Sequence, residues 1–171
     1  YKNVDYDAEL SMDERNEIRE KVIRARVQML FKYPFFAQLA IRLTLVEITD
    51  AWCPTAATDG RSMYYNPHFF KVLTQAEITF VVAHEVLHCV YDHMTPMQEG
   101  WDKRLFNISA DYIINMDLSK TGVGEMPAVG LLDWQYDGWN SFEVYNHLKE
   151  LKDKGELPPE LQTLDVHIMI D

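Results

Sequence analysis

The spacing of apolar and polar residues predicts a long helix near the start of the chain and a strand after it. Apolar positions recur with a helical period over residues 11–33, and Ser11 with Glu14 forms a capping box where this helix begins. Pro34 then interrupts the pattern, because proline breaks a helix interior. The LTLVEI run at 43–48 is rich in β-branched and aliphatic residues, which is typical of a strand.

A hairpin is predicted around Asp59 and Gly60, which separate two extended runs. Its second strand covers residues 62–65 and ends before Pro67, because proline cannot donate a hydrogen bond to a sheet ladder. This part of the chain therefore contributes two adjacent strands.

Three further helices are predicted over residues 75–93, 104–119 and 140–155. Thr74 and Asn140, each followed by a glutamate three residues later, form capping patterns at the start of the first and third helices. Glycines stand near the ends of the second and third helices, where helices commonly stop.

These elements together indicate an α+β fold with a small mixed sheet. We divide the chain into an N-terminal helical segment (1–33) that packs on the domain, the domain itself (34–157), and a tail (158–171) that follows two prolines. The tail ends in an apolar run, which usually requires a surface to pack against.

Composition and charge exclude several classes of function. The chain of 171 residues carries 16 basic and 27 acidic side chains and a net charge of −11, which disfavours a nucleic-acid partner. No apolar run approaches the ~18 residues of a membrane span. Two cysteines are too few for a disulfide framework, and no signal sequence precedes them, so we expect a reducing cytoplasm.

The chemistry is carried by the sequence HEVLH at residues 84–88, inside a predicted helix. Residues four apart lie about 40° apart around a helix, so His84 and His88 can direct both imidazoles at one metal ion. Glu85 neighbours that face and is the candidate general base, since a bound Zn²⁺ makes a water molecule acidic enough for Glu85 to deprotonate. The pattern predicts a zinc-dependent hydrolase.

The third metal ligand has two candidates. Asp111 lies on the next predicted helix, and we favour it because Asn107, Asp111 and Asn115 form a polar stripe among isoleucines. His93 is the alternative, but it lies about 180° around the helix from His84 and could join only if the helix broke first. Asn107 and Asn115 are candidates for orienting a ligand through hydrogen bonds.

The remaining histidines and the acidic residue of the tail are weak candidates. His68 and His147 each stand alone in the sequence, where a surface or packed histidine is commoner than a ligand. Asp165 and His167 could bind metal, but their place in the tail gives no independent reason to include them.

Several separated motifs together resemble a known family, the putative metallopeptidase domain of bacterial and phage proteins. The resemblance covers about residues 30 to 167 and is carried by the motifs at 58–60 (TDG), 64–67 (YYNP), 83–88 (AHEVLH) with His93, 107–112 (NISADY), 130–133 (GLLD) and 143–145 (EVY). Two positions depart from the family, which often has glycine at the position of Asp92 and tryptophan at that of Phe106.

The resemblance implies a zincin-like fold and a zinc metallopeptidase activity. It implies His84 and His88 as zinc ligands and Glu85 as catalytic base, while Asp111 and His93 both fall on family motif positions. In zincins the strand before the active-site helix lies at the sheet edge and pairs with substrate, which here implies a polypeptide along strand 62–65. Family members commonly precede a von Willebrand factor A-like domain, so the tail would be the junction to such a domain.

We therefore expect a cytoplasmic zinc metallopeptidase in which His84, His88 and Asp111 bind the metal and Glu85 activates the water. Two alternatives remain, a catalytically silent module that metal stabilises for interaction with a partner, and another kind of metal-dependent hydrolase. Neither a nucleic acid nor a membrane is expected as partner.

Overall fold

The computed structural model describes residues 3–94, 96–159 and 161–167, apart from the side chains of 35–37, 92–94 and 167. In that part of the chain the helices are α1 (Met12–Lys32), α2 (Pro34–Arg42), α3 (Pro67–Lys71), α4 (Gln75–Met94), α5 (Lys103–Thr121) and α6 (Ser141–Asp153), with a 3-10 turn at Trp134–Tyr136. The strands are β1 (Thr44–Glu47), β2 (Ala56–Thr58), β3 (Ser62–Tyr65) and β4 (Val166–His167). The α+β class is confirmed.

Local capping explains where the long helices begin. The Ser11 hydroxyl accepts from the Glu14 amide at the start of α1, and the Thr74 hydroxyl accepts from the Glu77 amide in the same way before α4. Helix α5 ends at Gly122, whose φ of 73° places it in the left-handed region that glycine adopts without a steric penalty.

The predicted hairpin is present as β2 and β3, which pair antiparallel. Gly60 adopts a φ of 87° in the turn. Asp59 stabilises the turn because its Oδ1 accepts from the amides of Arg61 at 2.9 Å and Ser62 at 2.8 Å. Pro67 follows β3 and becomes the first residue of α3, where the missing amide hydrogen costs nothing.

The expected edge position of strand 62–65 is wrong. The sheet order is β1-β3-β2-β4, so β3 lies inside the sheet and pairs with β1 in parallel as well as with β2. The backbone groups of β3 are therefore used on both sides. The outer side of β2 is covered by β4, from the tail, with Ala57 opposite Val166.

Two groups of buried apolar side chains flank α5. Ile114 and Leu118 belong to the group formed with α1, the sheet and α4. Leu105, Ile108 and Ile113 face the group formed with the 3-10 turn and α6. Helix α5 is thus buried on opposite faces, and its polar stripe lies between them.

No helix within the described ranges combines the length and the apolar character that crossing a bilayer requires.

Candidate metal centre

Helix α4 buries the HEVLH motif except for Leu87, which is partly exposed. The exposed fractions of His84, Glu85 and His88 are 0%, 0% and 1%, among buried neighbours such as Val82 and Val86. The helical spacing brings the two imidazole rings together as predicted, with their Nε2 atoms 2.9 Å apart. Burying three such groups is costly unless each is paired, hydrogen-bonded or bound to a metal.

Helix α5 brings Asp111 to the same point. Its Oδ1 lies 3.0 Å from His88 Nε2 and 3.4 Å from His84 Nε2, and its exposed fraction is 0%. The other carboxylate oxygen, Oδ2, accepts a hydrogen bond of 2.7 Å from the backbone amide of Leu164. The structure thus joins the three residues that the sequence proposes as ligands.

Asp165 is a fourth member that the sequence analysis set aside. Its Oδ1 lies 3.2 Å from His84 Nε2 and 3.3 Å from His88 Nε2. One signal could have included it, because an acidic residue between Leu164 and Val166 is unusual in a segment that must be buried.

The four donor atoms lie within 4.8 Å of one another, close enough to contact a single metal ion. Zinc ligands at about 2.0–2.1 Å from the ion would be separated by about 3.3 Å in a tetrahedral site. The distances between the two imidazole nitrogens, and from each of them to the Asp111 and Asp165 oxygens, run from 2.9 to 3.4 Å. A donor set of this size and chemistry fits a divalent metal ion.

The charges of the cluster also favour a cation. Burial alone would lower the pKa of His84, but the Asp111 and Asp165 carboxylates outweigh it and raise that pKa to about 9. Burial disfavours ionisation of Asp165, yet the two histidines hold its pKa well below the usual range. The two carboxylates thus favour positive charge at this point, either as protons on the imidazoles or as a divalent cation that takes their place.

Asn115 fixes the orientation and tautomer of His84. Its amide nitrogen donates to the Leu131 carbonyl at 2.9 Å, which leaves its Oδ1 to accept from His84 Nδ1 at 2.7 Å. Since Nδ1 carries a hydrogen, loss of the other ring proton would leave the lone pair on Nε2, the nitrogen that faces the cluster.

Asn107 does not share that role. Its buried Oδ1 has no hydrogen-bond partner in the described part of the chain. The residue lines a cavity of about 680 Å³ next to the cluster, together with Pro54, Lys103, Arg104, Ile108, Leu161, Gln162, Thr163, Asp165 and Val166.

Glu85 differs from the four clustered residues. Neither of its buried carboxylate oxygens has a hydrogen-bond partner within the described ranges. Burial and then the nearby charge of Asp165 raise the pKa of Glu85 well above its usual value. A buried carboxyl with a raised pKa is suited to taking up and returning a proton.

The other histidines lie elsewhere or outside the described residues. His147 Nδ1 is 2.8 Å from the Tyr136 hydroxyl, and the His68 amide donates to the side chain of Asn66, which caps α3. The side chains of His93 and His167 are outside the part that the structure describes. Helix α4 continues through His93 to Met94, so the backbone does not break between His88 and His93.

Comparison with known proteins places the chain in a family. The model of the putative metallopeptidase domain matches residues 17–163. The chain belongs to this family. The match includes His84, Glu85, His88 and Asp111 and ends two residues before Asp165. Neither the curated proteins nor the solved structures contain a match to the chain.

Proposed function

We propose that this family member is a zinc-dependent peptidase in which His84, His88 and Asp111 hold the metal and Glu85 is the general base. The observation that carries the proposal is the meeting of these three donors from two buried helices, with an unpaired carboxyl one residue away from the first histidine. Imidazole nitrogen with carboxylate oxygen is a donor set that suits Zn²⁺. The family description supplies the peptide bond as the substrate.

The bound ion would polarise the substrate carbonyl and make a water molecule acidic. Glu85 would accept the proton of that water and return it to the departing amine. Asn115 holds His84 in the tautomer that leaves Nε2 available. The cavity beside Asn107 and Asp165 is the space through which we expect a polypeptide to approach, since β3 has no free edge.

Zinc content tests the ligand set. We expect about one zinc per chain in protein purified without added metal, measured by elemental analysis. Asp111→Ala should lose the metal, whereas His93→Ala should keep it and thus serves as the matched control. Loss in His93→Ala alone would assign the third ligand to His93 and contradict the set proposed here.

Glu85→Gln tests the catalytic step separately. The substitution keeps the size of the side chain but removes the base, so zinc content should stay unchanged while hydrolysis of an unfolded protein substrate falls by about 10²–10⁴-fold. An activity equal to that of the parent would eliminate Glu85 as the base.

One observation favours a second candidate function. With Asp165, the cluster has four buried protein donors, and structural zinc sites are characteristically closed by four ligands. A metal-stabilised interaction module would bind zinc equally well and show no hydrolysis in any variant.

A further inference from the structure

The fourth donor comes from a different kind of element than the other three. His84, His88 and Asp111 are held on α4 and α5, helices of 20 and 19 residues packed within the fold. Asp165 stands on the short tail segment 161–167, which enters the sheet only through a two-residue strand. The family match includes the three helix-borne donors but ends before Asp165.

Asp165 closes the cluster toward the cavity. It lines the cavity of about 680 Å³, while its Oδ1 contacts the Nε2 atoms of both histidines. Behind it, His84, Glu85 and Asp111 have no exposed surface. A substrate arriving from the cavity would therefore meet Asp165 before it reached the donors or the base.

The same segment occupies the outer side of β2. Val166 pairs with Ala57 in parallel, which uses the backbone groups through which an edge strand could bind an extended peptide. One short segment thus blocks both the cluster and the sheet edge.

A small number of contacts hold the segment in place. The Leu164 side chain is buried in the core, and its amide donates to Asp111 Oδ2 at 2.7 Å. Arg104 donates to the carbonyl of Leu161 at 3.1 Å. Both hydrogen bonds join the segment to α5, but the segment itself forms no helix and only a two-residue strand. Its release would therefore leave α4 and α5 packed against each other.

We propose that segment 161–167 is an inhibitory latch, in which Asp165 fills the fourth ligand position and β4 covers the β2 edge until the segment is displaced. The proposal rests on the metal site of the proposed function. It explains how a family of peptidases can contain a member whose donors and base are all buried. It also makes Asp165, unlike Asp111, dispensable for holding the ion.

The test measures access to the metal directly. The parent, Asp165→Ala, Asp165→Asn and Gln162→Ala would be loaded with Co²⁺ and titrated with acetohydroxamate, a small chelating ligand, while the visible spectrum is followed. Gln162→Ala is the matched control because it alters an exposed residue of the same segment and leaves Asp165 intact. We expect acetohydroxamate to bind Asp165→Ala at least tenfold more tightly than the parent or Gln162→Ala.

Three outcomes would overturn the latch. Asp165→Ala could lose the ion as Asp111→Ala does, which would make Asp165 a permanent ligand. The parent could bind acetohydroxamate as tightly as Asp165→Ala, which would mean that nothing is blocked. Both Asp165 variants could fail to fold, judged by circular dichroism, which would make the residue a structural requirement.

A hydrolysis assay tests the latch and the proposed peptidase activity separately. Asp165→Ala should hydrolyse an unfolded protein such as casein faster than the parent, and the double variant with Glu85→Gln should not. Tighter acetohydroxamate binding without any hydrolysis would support the latch and contradict the peptidase. Equal rates of hydrolysis by the parent and Asp165→Ala would support the peptidase and contradict the latch.

Discussion

At the scale of single residues, two of the proposed ligands differ from the candidate base in how their side chains are held. His84 and Asp111 each have a second partner that fixes the orientation of the ring or carboxylate, Asn115 for the first and the Leu164 amide for the second. Glu85 has no such partner among the described residues. Two of the three proposed ligands are thus fixed in direction by a neighbouring group, whereas the candidate base is not held in this way.

Asn115→Ala should weaken metal binding without abolishing it. The change removes the acceptor that keeps hydrogen on His84 Nδ1, and losing such an orienting partner typically costs about 10–100-fold in metal affinity. Competition with a chelator of known zinc affinity would measure the loss.

Asn107→Ala is the matched control, since it is the same change two turns earlier on α5. Its Oδ1 has no partner within the described chain, so its removal leaves no group unsatisfied. Equal losses of affinity in the two variants would contradict a specific role for the bond between Asn115 and His84.

At the scale of elements, what the sequence predicts well is what local interactions decide. Capping residues and the glycine at 122 locate α1, α4, α5 and α6 to within two or three residues, but the shorter α2 and α3 are not among the predicted helices. The turn at Asp59 and Gly60 is as expected. The position of β3 inside the sheet was not predicted, because it depends on pairing with β1, a strand that precedes the hairpin in the chain. No local signal in residues 62–65 reports that partner.

The loop that follows α5 packs closely against the start of α4. At Gly124, with φ of 62°, an added Cβ would lie 2.4 Å from the Ala76 carbonyl oxygen and 2.7 Å from the Phe80 amide nitrogen. The next amide, of Glu125, donates to the same Ala76 carbonyl. The loop after α5 is therefore held directly against the backbone of α4.

Gly124→Ala should lower the free energy of unfolding by at least about 1–3 kcal/mol, the usual cost of forcing extra atoms into a packed site. Gly122→Ala is the control, because Gly122 also has positive φ, of 73°, but a Cβ there would meet nothing within 4 Å. Urea unfolding should show the larger loss in Gly124→Ala. Similar losses would indicate that backbone strain alone, and not the contact with α4, sets the cost.

At the scale of the whole molecule, the candidate metal centre joins parts of the chain that are far apart in sequence. The pair His84 and His88 is visible as a motif, and Asp111 follows 23 residues after His88 on a polar helical stripe. Asp165 is 81 residues from His84, and its position depends on the tail crossing beside β2. A sequence pattern reports residues that share one helix, but it does not report which loop or tail completes the site.

Because the centre links α4, α5 and the tail, metal removal should lower the stability of the whole fold. A ligand that binds only the folded state adds about 2.7 kcal/mol when present at 100 times its dissociation constant. For a chain of this size, 1 kcal/mol corresponds to about 2–4 °C in Tm, so a chelator should lower Tm by about 5–10 °C. The melting of Asp111→Ala, which has no metal to lose, should be the same with and without chelator. An unchanged Tm in parent protein whose zinc the chelator has removed would show that the four donors are held together by the fold alone.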